Sequence, residues 1–178
     1  RQCIAIAPTP YLRAMAQNDM AVTLQHRGFL TEGAKGAEML AEAVAAFDSA
    51  LEVYTREEHP TNWAMAQNNK GIALQEQGRR TEGMEAAALL EDAVAAYDGA
   101  REVGTLEEHP TYLASTLNNK SGALHEQGIR TDGAAGTALL ARAVAACDAA
   151  LEVRTREEYP VDWAGTQNNK GAALQEQG

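Results

Sequence analysis

Apolar residues recur at three- and four-residue spacings through most of this chain. Between 83 and 103, Leu90, Ala93, Val94, Tyr97, Ala100 and Val103 form one such stripe, the arrangement that lays a single buried face along an α-helix. The stretch Thr61 to Gln77 reads as a second helix, opened by Pro60 and closed by Gly78. Proline suits a first helical turn, where its missing N–H costs nothing, and glycine suits a left-handed residue just past a helix end. A short polar turn follows, with Thr81 as candidate N-cap and Glu82 placing negative charge at the positive end of the next helix dipole. That second helix extends to about Val103 and spans roughly 33 Å at 1.5 Å per residue. Thr105-Leu106-Glu107-Glu108-His109-Pro110 then links onward. Strand formers nowhere collect into alternating runs, so the fold class is all-α.

This two-helix pattern repeats. Pro10, Pro60, Pro110 and Pro160 recur every fifty residues, as do Gly28, Gly78, Gly128 and Gly178, and Thr31, Thr81 and Thr131. Asn18, Asn68, Asn118 and Asn168 keep the same step, and so do the Ala-Val-Ala-Ala blocks beginning at Ala43, Ala93 and Ala143. The register holds without insertion over 11–60, 61–110 and 111–160, and over a half unit, 161–178. The expected architecture is one array over 1–178: seven antiparallel helices, first helices inside and second helices outside. A lone hairpin cannot bury both faces, so its units must stack.

Composition narrows the function classes. Aromatics are only 5% of the chain and alanine dominates the 45% that is hydrophobic, which favours close helix–helix packing. A formal net charge of −10 argues against nucleic acid, whose binding is driven by lysine and arginine neutralising phosphates. It argues equally against anionic membrane surfaces. With no run of about 18 consecutive apolar residues, no membrane span is expected. Cys3 and Cys147, in unrelated contexts, read as buried and reduced, which suits a cytoplasmic protein. The chain opens at Arg1 and stops mid-pattern at Gly178, and is expected to be a fragment of a longer protein.

The residues that carry this pattern resemble the tetratricopeptide repeat. Gly71, Ala73, Leu74 and Gly78 match that family's first helix and turn, and Ala93, Tyr97 and Ala100 its second helix, with Phe47 and Cys147 in the aromatic's place in neighbouring units. The usual repeat has about 34 residues, whereas this one has fifty. The extra residues lengthen the start of the second helix and the linker. Ser121 replaces the helix glycine in the third unit, Gln67 and Gln167 replace the usual tryptophan, and Lys70, Lys120 and Lys170 stand where the family buries a leucine. Trp63 and Trp163, one turn earlier, are placed to do the missing tryptophan's packing. The resemblance implies a right-handed α-solenoid of stacked antiparallel hairpins, with a concave face lined by first helices. It also implies a protein-interaction role, and in long bacterial arrays of this look an association with signalling or protease-like domains.

The candidate chemistry lies in the asparagine pairs Asn68-Asn69, Asn118-Asn119 and Asn168-Asn169, opened by Asn18-Asp19. Asparagine is a mediocre helix-interior residue, so repeated pairs in mid-helix need a reason. In peptide-binding tetratricopeptide domains, an asparagine two residues before the helix glycine forms a ladder along the groove. The resemblance implies that role for Asn69, Asn119 and Asn169. An amide offers a donor and an acceptor together and can match a peptide unit of any sequence. The other reading is that each amide bonds a neighbouring helix and glues the stack. A turn away, Gln25, Gln75, His125 and Gln175 fall on the same face, with Met15, Met65, Ser115 and Gly165 on its other side; no arginine is expected in this groove. Glu57-Glu58-His59 and Glu107-Glu108-His109 contain metal-ligand residue types, but consecutive loop residues rarely converge on one ion, and no closed ligand set is present. No serine, cysteine or histidine recurs with a base and an orienting partner, and there is no phosphate-binding glycine loop.

The sequence thus predicts a non-enzymatic module without cofactor or metal. It would bind protein or an extended peptide, neutral or basic, through Asn68, Asn69, Asn118, Asn119, Asn168, Asn169, Gln75 and His125. The alternative is a structural spacer or self-assembly element, associating through the terminal helix 161–178.

Overall fold

The computed structural model describes residues 9–103 and 109–177. Cys3, the linker residues Thr105 to Glu108 and Gly178 lie outside the described residues. The architecture is all-α, and each helix packs on its neighbours in sequence. Helix α1 spans Pro10–Leu30, α2 Gly33–Leu51, α3 Pro60–Arg80, α4 Gly83–Val103, α5 Pro110–Gly128, α6 Gly133–Leu151 and α7 Pro160–Gln177. Each repeated proline is the first residue of an odd-numbered helix, as its lack of an N–H requires. The long second helix of the second unit, α4, runs unbroken.

The turns differ from the sequence expectation in an instructive way. Gly28 and Gly78 do not end their helices, which continue to Leu30 and Arg80, and α5 includes Gly128 as its last residue. None of the three has positive φ. The left-handed glycines are Gly33, Gly83 and Gly133, at φ of 68°, 67° and 65°, each opening a second helix. Thr31 and Thr81 are C-caps of α1 and α3, not N-caps of the helices that follow. Their hydroxyls donate backward to the Arg27 and Gln77 carbonyls at 2.8 Å, and Thr131 does the same to Gln127. Glu32 and Asp132 hold the N-cap positions of α2 and α6, keeping negative charge at the helix start without a side-chain cap bond.

What Gly28, Gly78 and Gly128 provide is closeness. A Cβ built at Gly78 would lie 2.8 Å from Leu90 Cγ, and the same contact forms between Gly28 and Leu40 and between Gly128 and Leu140. Gly78→Val is therefore expected to cost about 1–3 kcal/mol by overpacking. Gly83→Val, where an added Cβ meets nothing within 4 Å, should cost about 1–2 kcal/mol, chiefly through backbone conformation. Thermal melts of both, each combined with Leu90→Ala, separate the causes: Leu90→Ala should mask most of the Gly78→Val penalty and none of the Gly83→Val penalty. Equal response of both variants would refute the packing role.

The hairpins share their cores. Ala14, Ala21, Ala43, Phe47 and Ala50 of the first hairpin pack with Ala66 of α3, and Leu74, Val94 and Tyr97 of the second with Ala123, Leu124 and Ala143 of the third. Small residues let the helix axes approach, and Phe47 and Tyr97 fill the gap in the first two hairpins, with the buried Cys147 at that position in the third. The repeated lysines finish the joint between units. Lys70, Lys120 and Lys170 pair with Asp48, Asp98 and Asp148, the first and last pairs at 2.5 Å, so each first helix is tied to the second helix before it. Their stems lie along the joint while the carboxylates stay 39–52% exposed, and each pair contributes at most about 1 kcal/mol. Met20 occupies the lysine's place in α1 and is exposed.

Among the described residues, α6 alone is long and apolar enough to cross a membrane, with a mean hydropathy of 1.4. That departs from the expectation that no segment qualifies. In this structure α6 is a second helix like α2 and α4, packed between α5 and α7.

Tyr112 ties α5 to α3 by donating to the Ala64 carbonyl at 2.8 Å. Burial, opposed by a weaker hydrogen bond from Thr116, pushes its pKa up to about 12. Because the folded pKa lies above the ordinary value of about 10, the stability linked to Tyr112 is fully present below about pH 10 and is lost as pH rises toward about 12. Tyr112→Phe should flatten that part of the alkaline unfolding curve followed by helicity. An unchanged curve would remove Tyr112 from the account.

Candidate functional site

The first helices α1, α3, α5 and α7 approach one another in sequence to within 8 Å between Cα atoms, whereas the Cα traces of the described second helices stay farther apart than that. The first helices therefore make a continuous face, and the asparagine pairs lie along it, where repeat register puts them. Between α3, α5 and α7 that face opens into a cleft of about 310 Å³. Five of the residues singled out in the sequence line it: Gln75, Asn118, Asn119, His125 and Asn169. Asn68, Asn69 and Asn168 do not. Asn68 is buried, Asn69 half-buried, and Asn168 exposed on α7.

Ser121, Gly122 and Ala172 leave room among the larger polar residues of the cleft's walls. Gly122 has no side chain where a Cβ would come within 2.9 Å of Gln75 Nε2, so the Gln75 amide can lie flat against α5. Gln75 Oε1 accepts a hydrogen bond from the buried Tyr97 hydroxyl at 2.9 Å, which fixes the amide's orientation. Burial raises the Tyr97 pKa far above its ordinary value, so the phenol remains a donor throughout the physiological range. At the equivalent place in the first unit, Gln25 is buried and its Nε2 donates to the Asn69 carbonyl at 2.9 Å, bridging α1 to α3. The third unit has His125 there. Its Nε2 is buried and has no hydrogen-bond partner, alone among buried side-chain polar atoms of the described residues. Such an atom costs stability unless something bonds it.

Charge enters from the rim. Glu126 is held by Arg130 at 2.5 Å and by Arg79, reaching across from α3, at 3.3 Å. Arg79 thus lines the groove, against the expectation of no arginine there. Nothing in the fifty-residue register marks Arg79, because the matching positions hold Phe29 and Ile129. Its neighbour Arg80 turns away and donates to the Gly28, Phe29 and Thr31 carbonyls, closing the end of α1.

The amides do not stand free in the groove. Asn119 Nδ2 donates to Asn68 Oδ1 at 3.3 Å, and Asn169 Nδ2 donates to Asn118 Oδ1 at 3.1 Å. Asn68 Oδ1 also accepts from the buried Thr116 hydroxyl at 3.3 Å. Each link therefore joins the first asparagine of one pair to the second asparagine of the next. The sequence holds this signal, a spacing of fifty-one residues between amides, but spacing alone does not say which atoms meet.

Other candidate groups resolve into packing. His59 packs tilted against Tyr11 and edge-on against Tyr54, with ring centroids 5.0 and 5.9 Å away. No group of three or more histidine, cysteine, aspartate or glutamate residues placed to hold an ion occurs among the described residues. Cys147 is buried with its sulfur 2.9 Å from Ser121 Oγ, and burial raises its thiol pKa, so it is a poor nucleophile. Arg154, which the sequence reading passed over, is buried and bonds Thr166 and Ser115 at 3.0 and 2.9 Å, joining α5 to α7.

In comparisons with known proteins, no family model matches this chain, no curated protein matches it and no solved structure matches it.

Proposed function

We propose that the chain is a tetratricopeptide-type, right-handed α-solenoid whose first-helix face binds a protein segment in extended form, without catalysis. The carrying observation is the cleft between α3, α5 and α7, where a buried, unpartnered His125 Nε2 stands beside oriented amides. A ligand's polar group would satisfy that atom once the imidazole turns toward the cleft that His125 lines. Close approach of first helices, with second helices apart, supports a concave side on which a segment can lie across several units. Met15 and Met65, both exposed, extend this face toward the first units with adaptable apolar surface. The net charge of −10 favours a neutral or basic segment. A cytoplasmic location fits the free, buried Cys147.

The spacer reading draws on a different observation: amide-to-amide bonds already join successive first helices, which stiffening alone would explain. One experiment separates them. Displayed peptide libraries are panned against the chain and against Ala172→Trp, which fills the cleft from α7 where Ala172 lines it. Binding is expected for the parent chain and its loss in the variant, with the melting temperature preserved. Peptides that bind both proteins equally, or none at all, would leave the spacer as the function.

A further inference from the structure

The second helices α4 and α6 stand apart across the joint between the second and third units, their Cα traces nowhere within 8 Å of each other. On the outer side of the array this separation leaves a groove of about 230 Å³, with α5 at its base. All three helices that build it lie inside the array, each with a further helix on both sides. Leu117 and Leu124, both buried, close the base. The exposed Ala145 and half-buried Ala149 line the α6 wall, and the exposed Arg101 and Arg142 stand one on each wall. At about 100° per residue, α5 turns Leu117, Lys120 and Leu124 to this groove and Asn119, Gly122 and Glu126 to the first-helix cleft, on its opposite face.

The groove recurs with the fifty-residue register, but its charge does not. Matching positions line a depression on the first unit, where Glu42 stands in the place of Arg142. In the joint between the first and second units the two arginines are matched by Leu51 and Asp92. Arg101 is the only cationic residue of α4, and Arg142 is the only one of α6. Both departures from the repeat therefore fall in one groove. The prolines, the alanine blocks and the lysine–aspartate pairs that build the stack return from unit to unit, so stacking does not call for these arginines. Neighbouring carboxylates are engaged elsewhere: Asp98 pairs with Lys120, Glu102 with Arg56, and Asp148 with Lys170. Among the described residues no carboxylate pairs with Arg101 or Arg142.

We propose that this convex groove docks an acidic segment of a partner protein. An apolar side chain of the segment sits against Ala145 and Ala149, and carboxylates on either side of it reach Arg101 and Arg142. The groove is smaller than the roughly 300–1,000 Å³ of sites that enclose a small molecule, which suits a side chain presented by a larger partner. Arginine meets a carboxylate through a fixed fork of donors, and its aliphatic stem extends the apolar wall. The acidic balance of the rest of the chain does not forbid this, because at physiological salt charges beyond about 8 Å are largely screened. Nucleic acid requires a run of cations along its backbone, which two arginines in a chain of net charge −10 do not supply. The groove faces away from the first-helix cleft and takes the opposite charge, so its occupancy does not depend on a ligand there.

The test pans displayed peptides against the 178-residue chain carrying Ala172→Trp, so that the first-helix cleft is already filled. Enriched peptides are expected to share aspartate or glutamate on both sides of a leucine, methionine or phenylalanine. A labelled copy of the most enriched peptide is then titrated by fluorescence anisotropy. Arg101→Leu with Arg142→Asp installs the residues of the preceding joint, Leu51 and Asp92, so the melting temperature should hold while affinity falls at least about tenfold. Ala145→Trp, which fills the groove without changing its charge, should weaken binding as much, and so should amides in place of the peptide's acids. Acidic peptides that bind the parent chain and Ala172→Trp alike are ligands of this groove when they respond to the arginine pair, which separates them from ligands of the cleft. Enrichment without acidic residues, or affinity that the arginine pair leaves unchanged, overturns the proposal. So does binding that survives Ala145→Trp, since charge alone would then hold the peptide to the surface. A dimer in sedimentation that the arginine variant dissociates would assign the groove to a second copy of the chain instead.

Discussion

Gly71→Ser and Tyr97→Cys should each destabilise the chain, and together they should cost markedly less than their sum. Gly71 leaves a Cβ-sized space only 2.7 Å from the Tyr97 ring, so a serine there must displace a fully buried aromatic. That overpacking is expected to cost about 1–3 kcal/mol. Tyr97→Cys removes the ring and the hydroxyl that orients Gln75, at an expected cost of about 3–5 kcal/mol. The pair, however, recreates a combination the chain already uses, Ser121 against Cys147 at 2.9 Å. The serine occupies part of the volume the ring vacates and bonds the thiol. Denaturant unfolding of the parent, both single variants and the double variant should yield a coupling of at least about 1 kcal/mol in favour of the double. Additivity within about 0.5 kcal/mol would show that the size matching between first and second helices is incidental.

The period made the elements legible. Proline at fifty-residue spacing marks the start of each first helix correctly, and the three-and-four stripe identifies the buried face of each second helix. Glycine was misread because two physical demands use the same residue. A glycine after a helical stretch can hold a left-handed turn or admit a neighbouring side chain, and both explain why a side chain is absent. The partner decides between them, here Leu40, Leu90 or Leu140, twelve residues further along the chain in each case and so hidden from a local reading. Gly33, Gly83 and Gly133, which do carry positive φ, keep the same register in the sequence. The triple lysine was opaque for a similar reason. It makes sense only with the aspartate twenty-two residues earlier, across a joint between units. Of the site, the face was legible and the bonding was not. His125 stands out in sequence as a break in the series Gln25, Gln75, Gln175, but only the three-dimensional arrangement reveals that its Nε2 is left without the bond that Gln25 makes.

The asparagine series should respond to alanine in graded fashion, largest where the amide is sealed between helices. Asn68 is 8% exposed and accepts from both Asn119 and Thr116. Asn68→Ala removes the acceptor and leaves the Asn119 amide without it, an expected loss of about 1–3 kcal/mol. Asn118, half-buried and bonded only to Asn169 among the described residues, should lose less. Asn168, exposed on α7, should fall within about 0.5 kcal/mol of the parent. Combining Asn68→Ala with Asn118→Ala breaks two successive links in the stack and is expected to cost about 2–4 kcal/mol if the sites are independent. Urea unfolding followed by helicity measures all four. The same variants bear on binding, because Asn119 and Asn169 line the cleft through the groups that these links hold in place. A peptide that bonds the amides directly would lose affinity with Asn119→Ala even when stability is restored by cooling. One that needs only the cleft's shape would lose affinity in proportion to the stability lost in each variant. A flat series, with Asn168→Ala as costly as Asn68→Ala, would overturn the view that these amides join the first helices, and would return them to the groove as free ligands for a peptide backbone.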